Sequence, residues 1–381
     1  MSDVVVIGSG AFGAWTAHHL SAAGARVTLV DAYGPGNSRS SSGDESRILR
    51  CGYGRDDIYS EWARRSREQW LALEARHDSI PSLWHGCGVL WLAPPGDTYA
   101  ADTLATLQGL RYSIELLDQA ALRTRYPHLD ARDIESAMVE PEGGVIMARR
   151  SIQVLTTELS RTGVRLLRTR AHEPATRGRV SALRAADGTT LSGDAFVFAC
   201  GAWLPALFPE LLGSRITPTR QVVMYFGTGS GDARLTAAHM PAWVDFASGI
   251  YGVPDLEGRG FKVGIDTHGA RFDPDTGDRR IDDASIAIAR AWLQRRLPDT
   301  AGAPLVESRV CQYENTSNGD FLIDRHPDHD NVWLVGGGSG HGFKHGPAVG
   351  EYATGLIARD ATPEARFALE TKRTTPQRAV Y

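Results

Sequence analysis

The sequence predicts a mixed α/β protein in which a Rossmann-like dinucleotide-binding domain is interleaved with a domain built on an antiparallel sheet. Three observations carry this. Gly8-Ser9-Gly10-Ala11-Phe12-Gly13 stands between an apolar strand pattern and a helical stretch, and Asp31 closes the next strand. That strand–turn–helix context makes G-x-G-x-x-G a dinucleotide fingerprint rather than a stray glycine turn. A second strand runs into Gly201-Ala202-Trp203 and a third into Gly336-Gly337-Gly338, so nucleotide-type pieces recur in the middle and near the C-terminal end. Between Thr219 and Thr316 the pattern changes to short strands joined by Gly-containing loops, which read as antiparallel hairpins. A chain of 381 residues exceeds one ordinary core, so two domains are expected.

In chain order, residues 3–7 predict a buried strand, followed by a helix to about 23 that Gly24 breaks, and a strand over 26–30. Residues 38–50 (SRSSSGDESRILR) are polar and turn helical or extended at Ile48. Their hydroxyls and arginines, placed just after the ribose-binding acid, suit a pyrophosphate or substrate contact. An amphipathic helix covers 58–77, and 84–91 (WHGCGVLW) reads as one strand that Pro94-Pro95-Gly96 ends. Helices follow near 99–109 and 118–124, in otherwise mixed sequence, and another over 151–160. A strand at 164–169, a small hairpin at 177–191 and a buried strand at 194–200 complete the middle piece. Strands over 221–226, 242–246, 250–254 and 260–266, a helix over 282–297 and strands at 309–313, 321–323 and 332–335 lead to the last helix, 346–358.

Composition excludes several functions. Apolar content of 42% and charge of 23% are those of a globular protein, and a net charge of −4 draws the chain to neither nucleic acid nor anionic membrane. No apolar run approaches the roughly 20 residues that cross a bilayer. With strand-like sequence from Asp3, no signal peptide is expected. Cys51, Cys87, Cys200 and Cys311 are scattered without paired spacing, so a reducing, cytoplasmic setting is expected and no metal site. Of 41 basic residues only Lys262, Lys344 and Lys372 are lysine. Against that arginine bias a lysine marks a place where a compact charge with a movable pKa is wanted. Lys372, in a polar tail, is given no role.

The chemistry concentrates near the C-terminal end. Cys311 lies just before an Asn-Thr turn signal, and Gly336-Gly337-Gly338-Ser339-Gly340-His341-Gly342-Phe343-Lys344 opens a helix carrying a lysine. Glycines let backbone N–H groups approach an anion or an electron-rich ring, and a helix start adds about half a positive charge. This suits a cofactor that becomes negative in its reaction. His341 reads as a helix-start or backbone contact, Cys51, Cys87 and Cys200 as packing, and His326 and His329 as a solvated loop. No Ser/His/Asp order or zinc spacing supports a hydrolase.

Taken together, Gly8–Gly13, residues 41–50, Gly201-Ala202-Trp203, Tyr251 to Lys262, Cys311-Gln312-Tyr313 and Ser339 to Lys344 resemble the monomeric sarcosine oxidase and N-methyltryptophan oxidase group of the D-amino-acid-oxidase-like flavoproteins. The likeness runs from Val4 to about Gly355, and its motifs fall in order. It implies an FAD-binding domain over 1–83, 146–217 and 317–381 and a substrate domain over 84–145 and 218–316. Gly8, Gly10, Gly13, Asp31, Ser41, Ser42, Gly201, Gly338, Gly340, His341, Gly342 and Lys344 would hold FAD. Cys311 matches the cysteine that carries FAD covalently. Lys262 matches the lysine that activates oxygen, Arg50 and Lys344 the pair that grips the substrate carboxylate, Arg47 an arginine near the flavin, and Tyr251 and Tyr313 aromatics over the substrate. Two positions depart from the group, Asp266 and Gly43, where it has histidines. An added pocket carboxylate would favour a substrate with a second cation, or pair with Lys262, and points away from sarcosine itself. Cyclic imino acids and glycated amino acids stay open.

The resemblance therefore implies a cytoplasmic, monomeric FAD oxidase of secondary amines or of N-alkyl and cyclic amino acids. It would use molecular oxygen and yield an imine and hydrogen peroxide. The rivals are a flavin dehydrogenase with a non-oxygen acceptor and a non-catalytic FAD-binding protein. An NAD-dependent reductase is disfavoured, because one Gly-rich nucleotide motif is present and the C-terminal motif suits a flavin.

Overall fold

A computed structural model of the chain describes residues 2–77, 80–359 and 361–375. Asp3–Ile7 lies inside a six-stranded sheet ordered Leu322–Arg325, Val332–Gly336, Ala195–Phe198, Asp3–Ile7, Arg26–Asp31, Arg165–Arg168. All pairings are parallel except the edge pair Leu322–Arg325 with Val332–Gly336. Parallel strands are covered on both faces, and Val4, Val5 and Val6 are buried accordingly. On one face the helix Ala11–Ala22 crosses Gly346–Ala358, so closely that a Cβ at Gly350 would sit 2.5 Å from the Trp15 backbone. The other face is covered by Leu204, Phe208, Leu212 and the hairpin Ala182–Arg184 with Thr190–Ser192.

The second sheet has eight strands: Leu305–Thr316, Ile216–Phe226, Phe261–Ile265, Ile250–Val253, Ala242–Asp245, Val89–Ala93, Ser136–Glu140 and Glu115–Asp118. It is antiparallel with one exception, Ala242–Asp245 beside Val89–Ala93. These two strands come from separate excursions of the chain, so no tight turn imposes an antiparallel approach. Ile216–Phe226 pairs along its length with Leu305–Thr316 and sets Gln221 opposite Cys311 and Thr219 opposite Tyr313. The expected helices form as Asp57–Ala75, Thr98–Gly109, Gln119–Arg125, Ala148–Arg161 and Asp283–Arg296. Asp97, Asp118 and Asp282 cap three of them through side-chain oxygens that accept a backbone N–H.

Several local expectations are corrected. The strand expected over 84–91 is two: Trp84–His85 joins a three-stranded sheet with Gly144–Met147 and Ser46–Leu49, whereas Val89–Ala93 enters the large sheet. Gly88, at φ +77°, makes the turn between them. Of the two states open at Ile48 the structure takes the extended one, Ser46–Leu49, and Glu115–Asp118, Ser136–Glu140 and Gly144–Met147 are strands in a region whose composition shows no clear period. The last helix is Gly346–Ala358 as expected, but Lys344 is not on it: the lysine lies in a 3₁₀ turn over Phe343–His345, and Pro347 stands in the helix's first turn, where a missing N–H costs nothing. Lys372 is fully buried, donating to the Arg366 carbonyl at 2.5 Å. His326 and His329 are buried too, their rings 4.4 Å apart, with the Asp328 N–H donating to His326 Nδ1. Among the described residues no helix is long and apolar enough to cross a membrane, and no three His, Cys, Asp or Glu gather as metal ligands would.

Candidate active site

The glycine turn fits its neighbours without slack. Gly8 has φ +103°, and a Cβ there would lie 2.2 Å from the Ala199 carbonyl oxygen; one at Gly13 would lie 1.8 Å from the Gly8 oxygen. These two glycines therefore let strand, turn and helix close on each other, whereas Gly10 faces a cleft of about 240 Å³. Asp31 also lines it, its Oδ2 accepting from Ser9 N at 2.8 Å and Ser9 Oγ at 2.9 Å, and its Oδ1 from the Tyr33 and Gly34 N–H groups. Ser42 Oγ accepts from Ala11 N at 3.0 Å, and Ser41 Oγ donates to the Gln312 carbonyl at 2.8 Å. The polar segment after Asp31 is thus tied both to the first helix and to the strand carrying Cys311. Gly201, Gly338, Gly340 and Gly342 line the same cleft.

A second cavity, about 90 Å³, adjoins the first. Arg47, Cys311, Tyr313, Gly340 and Phe343 border both. Its walls hold Arg50, Lys344, Tyr251, Tyr313, Asp266 and His341. Arg50 is buried, with its guanidinium 4.5 Å from the Tyr53 ring, 5.0 Å from Phe246 and 5.2 Å from Trp91. Such an aromatic cage holds a planar cation; Nη1 donates to the Gly52 carbonyl, and the other in-plane donors are left for a ligand. Lys344 Nζ donates to Tyr53 Oη at 2.6 Å and to the His341 carbonyl at 3.2 Å. Burial and then Arg50 draw it well below the ordinary lysine value. Tyr313 Oη donates to Asp266 Oδ1 at 2.7 Å. Burial pushes the Asp266 carboxyl up, against the Tyr313 hydrogen bond and Arg50. A Cβ at Gly340 would lie 2.7 Å from the Tyr313 ring, so glycine there gives the tyrosine its place. His341 makes the expected backbone contact, through Nε2 to the Gly319 carbonyl at 3.1 Å.

Lys262 stands one layer behind this wall. It is 1% exposed and donates to Asp44 Oδ2 at 2.5 Å and to the Ser46 carbonyl at 3.0 Å. Asp44 and Ser46 themselves line the cavity. Asp44 also accepts from Arg47 at 2.8 Å and from Tyr225 Oη at 3.2 Å. Burial works to raise the Asp44 carboxyl, yet Lys262 and Arg47 hold it well below the usual carboxylate range. Burial draws Lys262 below the ordinary lysine value while Asp44 opposes. The partner of Lys262 is thus Asp44, and Asp266 pairs with Tyr313 instead. Arg47 reaches Cys311 Sγ at 3.9 Å and stacks over the Phe343 ring.

The chain matches the FAD dependent oxidoreductase family over residues 3–356. It belongs to that family. It is 30% identical over 369 residues to monomeric sarcosine oxidase from Bacillus sp. (strain B-0618), covering 94% of this chain and 93% of that protein. It is 29% identical over 368 residues to N-methyl-L-tryptophan oxidase from Salmonella heidelberg, covering 92% and 93%. Among solved structures, L-proline dehydrogenase from P. horikoshii superposes with a TM-score of 0.84 at 19% identity, covering 97% of this chain and 96% of that one. A fructosyl peptide oxidase mutant superposes at 0.82 and 21%, covering 97% and 93%. At those identities the two structures show the fold: the mixed α/β architecture of the FAD-dependent oxidoreductases.

The dinucleotide of this family is FAD, and the residues present fit it. The larger cleft runs from the glycine turn and Asp31 past Ser41 and Ser42 to Cys311, where it meets the smaller cavity. One carboxylate in it went unremarked in the sequence. Glu314 Oε1 accepts from Gly338 N at 3.1 Å, while Oε2 is buried without a partner among the described residues, and burial pushes the group up to about 7. Asp44, Tyr53, Phe246 and His345 were missed as well. Asp44 lies within the arginine segment and Tyr53 just after it, so both carried a positional signal. His345 beside Lys344 carried none beyond adjacency.

Proposed function

We propose that the chain is an FAD-dependent oxidase of secondary amines of the N-alkyl or cyclic amino-acid type. The product is an imine that water hydrolyses to an aldehyde or keto compound, and hydrogen peroxide forms from oxygen. The observation that carries this reading is the single cavity holding Arg50, Lys344 and two tyrosines that opens on the FAD cleft at Cys311. FAD, when bound, supplies the two-electron acceptor that amino-acid side chains lack. The protein's own work is positioning and charge. Arg50 and Lys344 bind the substrate carboxylate and fix the amine-bearing carbon toward the cleft. Tyr251 and Tyr313 close over the substrate and exclude water, and Asp266 offers an acceptor to its nitrogen.

Gly8, Gly10, Gly13, Asp31, Ser41, Ser42, Gly201, Gly338, Gly340, His341 and Gly342 are the residues we assign to holding FAD, with covalent attachment through Cys311. The Arg47 guanidinium lies 3.9 Å from the sulfur and ties it to the segment over 41–50. Lys262, held by Asp44, contributes a fixed positive charge beside the cavity for oxygen reduction. The sarcosine and N-methyltryptophan oxidases among the relatives support an oxidase acting on a CH–NH group, and we take it as a cytoplasmic monomer. The test is a visible spectrum before and after acid precipitation, followed by a peroxidase-coupled screen of N-methyl, cyclic and glycated amino acids. Yellow protein that keeps its flavin in the pellet, bleaches anaerobically with a secondary amino acid and yields peroxide in air is the expected result. A flavin bleached by no amine, or peroxide produced equally from amines lacking a carboxylate, refutes it.

A further inference from the structure

Behind the carboxylate-binding lysine a hydrogen-bonded chain leads away from the cavity. Lys344 Nζ lies 2.6 Å from Tyr53 Oη, and Tyr53 Oη lies 2.8 Å from His345 Nε2. His345 is fully buried, its ring 5.3 Å from that of Tyr53, 5.5 Å from those of Tyr59 and Phe321, and 5.8 Å from that of His341. Its second nitrogen, Nδ1, is buried and has no partner among the described residues.

A phenol has one proton to give, so this chain has two self-consistent states. If Lys344 is an ammonium, it donates to Tyr53 Oη and the phenolic proton turns to His345 Nε2. The imidazole then carries its own proton on Nδ1, a buried N–H with no acceptor among the described residues. If Lys344 is a free amine, everything reverses. His345 Nε2–H donates to Oη, the phenol donates to the Nζ lone pair, and Nδ1 is a bare lone pair. A buried donor without an acceptor is the rarer and costlier arrangement. The surroundings of Lys344 agree. The acceptors it reaches, Tyr53 Oη and the His341 carbonyl, are neutral, and the guanidinium that shares its cavity is a like charge. The carboxylates nearby are Asp266, bonded by Tyr313, and Glu140, which accepts from Cys51 N, Gly52 N and Trp91 Nε1; Cys51 is the other titratable group at that end. Around His345 the titratable and charged groups are Tyr53, Tyr59, His341, Lys344 and Arg50. Burial, with Arg50 for Lys344 and with Lys344 for His345, draws both well below their ordinary values.

We propose that Lys344 is a free amine in the ligand-free enzyme, and that a carboxylate entering beside Arg50 draws one proton onto it, reversing the Lys344–Tyr53–His345 chain. The balance is simple. One proton from water binds Nδ1 as the Nε2 proton passes to Oη and the phenolic proton passes to Nζ. Two protons have moved one bond each, one has been taken up, and the site has gained the positive charge its ligand needs. Tyr53 and His345 are positioning residues in this scheme, since they act through Lys344. The proposal rests on the reading of Arg50 and Lys344 as the carboxylate site.

The experiment uses holoenzyme and propionate, a carboxylate without an amine, in weakly buffered solution near pH 8 with an indicator dye. Binding is read from the flavin spectrum. Uptake of about one proton per propionate bound is expected, and close to none in Lys344→Met at saturating propionate. In ¹⁵N-histidine spectra, the signal lost in His345→Gln should report an Nε2–H tautomer in the free enzyme and Nδ1–H in the complex. Binding without proton uptake, or an Nδ1–H tautomer in the free enzyme, overturns the proposal while leaving the carboxylate site standing. Failure of propionate to bind overturns that site, and the proposal with it.

Discussion

Replacing Asp44 by asparagine should be among the most damaging single-atom-scale changes in this protein, and its cost should depend on pH. Lys262 is 1% exposed, and its ion-pair partner is Asp44, 2.5 Å away; its remaining acceptors, the Ser46 carbonyl and hydroxyl, are neutral. Removing one member of a buried pair costs about 3–5 kcal/mol, because the other charge is stranded. Deprotonation of Lys262 caps that cost. At pH 7 the cap is the lysine value minus the pH times the energy per pKa unit, about 5 kcal/mol, and at pH 9 it falls to about 2 kcal/mol. The sign follows from linkage: with a native-state pKa depressed below the unfolded one, the penalty is complete at low pH and fades as pH rises toward the unfolded value. The partner substitution behaves differently. In Lys262→Met, Asp44 keeps Arg47 at 2.8 Å and Arg309 at 3.9 Å, so the loss should be about 1–3 kcal/mol. Denaturant unfolding followed by tryptophan fluorescence at pH 7 and pH 9 measures both. An Asp44→Asn penalty under about 1 kcal/mol at pH 7, or an equal one at pH 9, would show that the pair is not the buried charge center described.

Three other substitutions probe the two cavities. In the cofactor-free chain, Glu314, pushed up from 4.5 to about 7 by burial, binds a proton that the unfolded chain has lost, so wild-type stability should fall between those pH values and level off above them. At the energy of one pKa unit the loss is about 3 kcal/mol, and because buried histidines titrate over the same range it should appear as a change of that size in the stability difference between wild type and Glu314→Gln, read from thermal melts of both. Gly13→Ala places a Cβ 1.8 Å from the Gly8 oxygen, where neither backbone can yield, so purified protein should lack its visible flavin absorbance. Arg50→Lys keeps the charge and loses the planar fork caged by Tyr53, Phe246 and Trp91; weakening of about 1.5–3 kcal/mol should raise KM for an amino-acid substrate roughly 10- to 150-fold with a smaller change in kcat.

How much of this was legible depends on the range over which each feature is encoded. Gly8 to Gly13 needs nothing beyond its own turn and the flanking strand and helix, because positive φ and the want of a Cβ are local steric facts. Lys344 likewise stood out, against an arginine-rich composition, and Cys311 by its place before the Asn-Thr turn signal. The reading failed where one residue or one pairing chose between alternatives. Residues 84–91 show continuous strand character, yet Gly88 divides them between two sheets. Lys372 looked like part of a solvated tail and is fully buried, since nothing in its neighbours' composition records that the chain folds back over it.

By itself the sequence determined the dinucleotide turn, the mixed α/β class and the short list of lysines and arginines from which the candidate site is drawn. Those properties follow from local backbone sterics and from periodicity along the chain. The tertiary structure alone decided who partners whom: Asp44 with Lys262 across 218 residues, and Tyr53 with His345 across 292. Such pairings follow from strand register and burial. A one-residue slip would turn each side chain to the opposite face, and the charge states of buried groups exist only once water has been excluded around them.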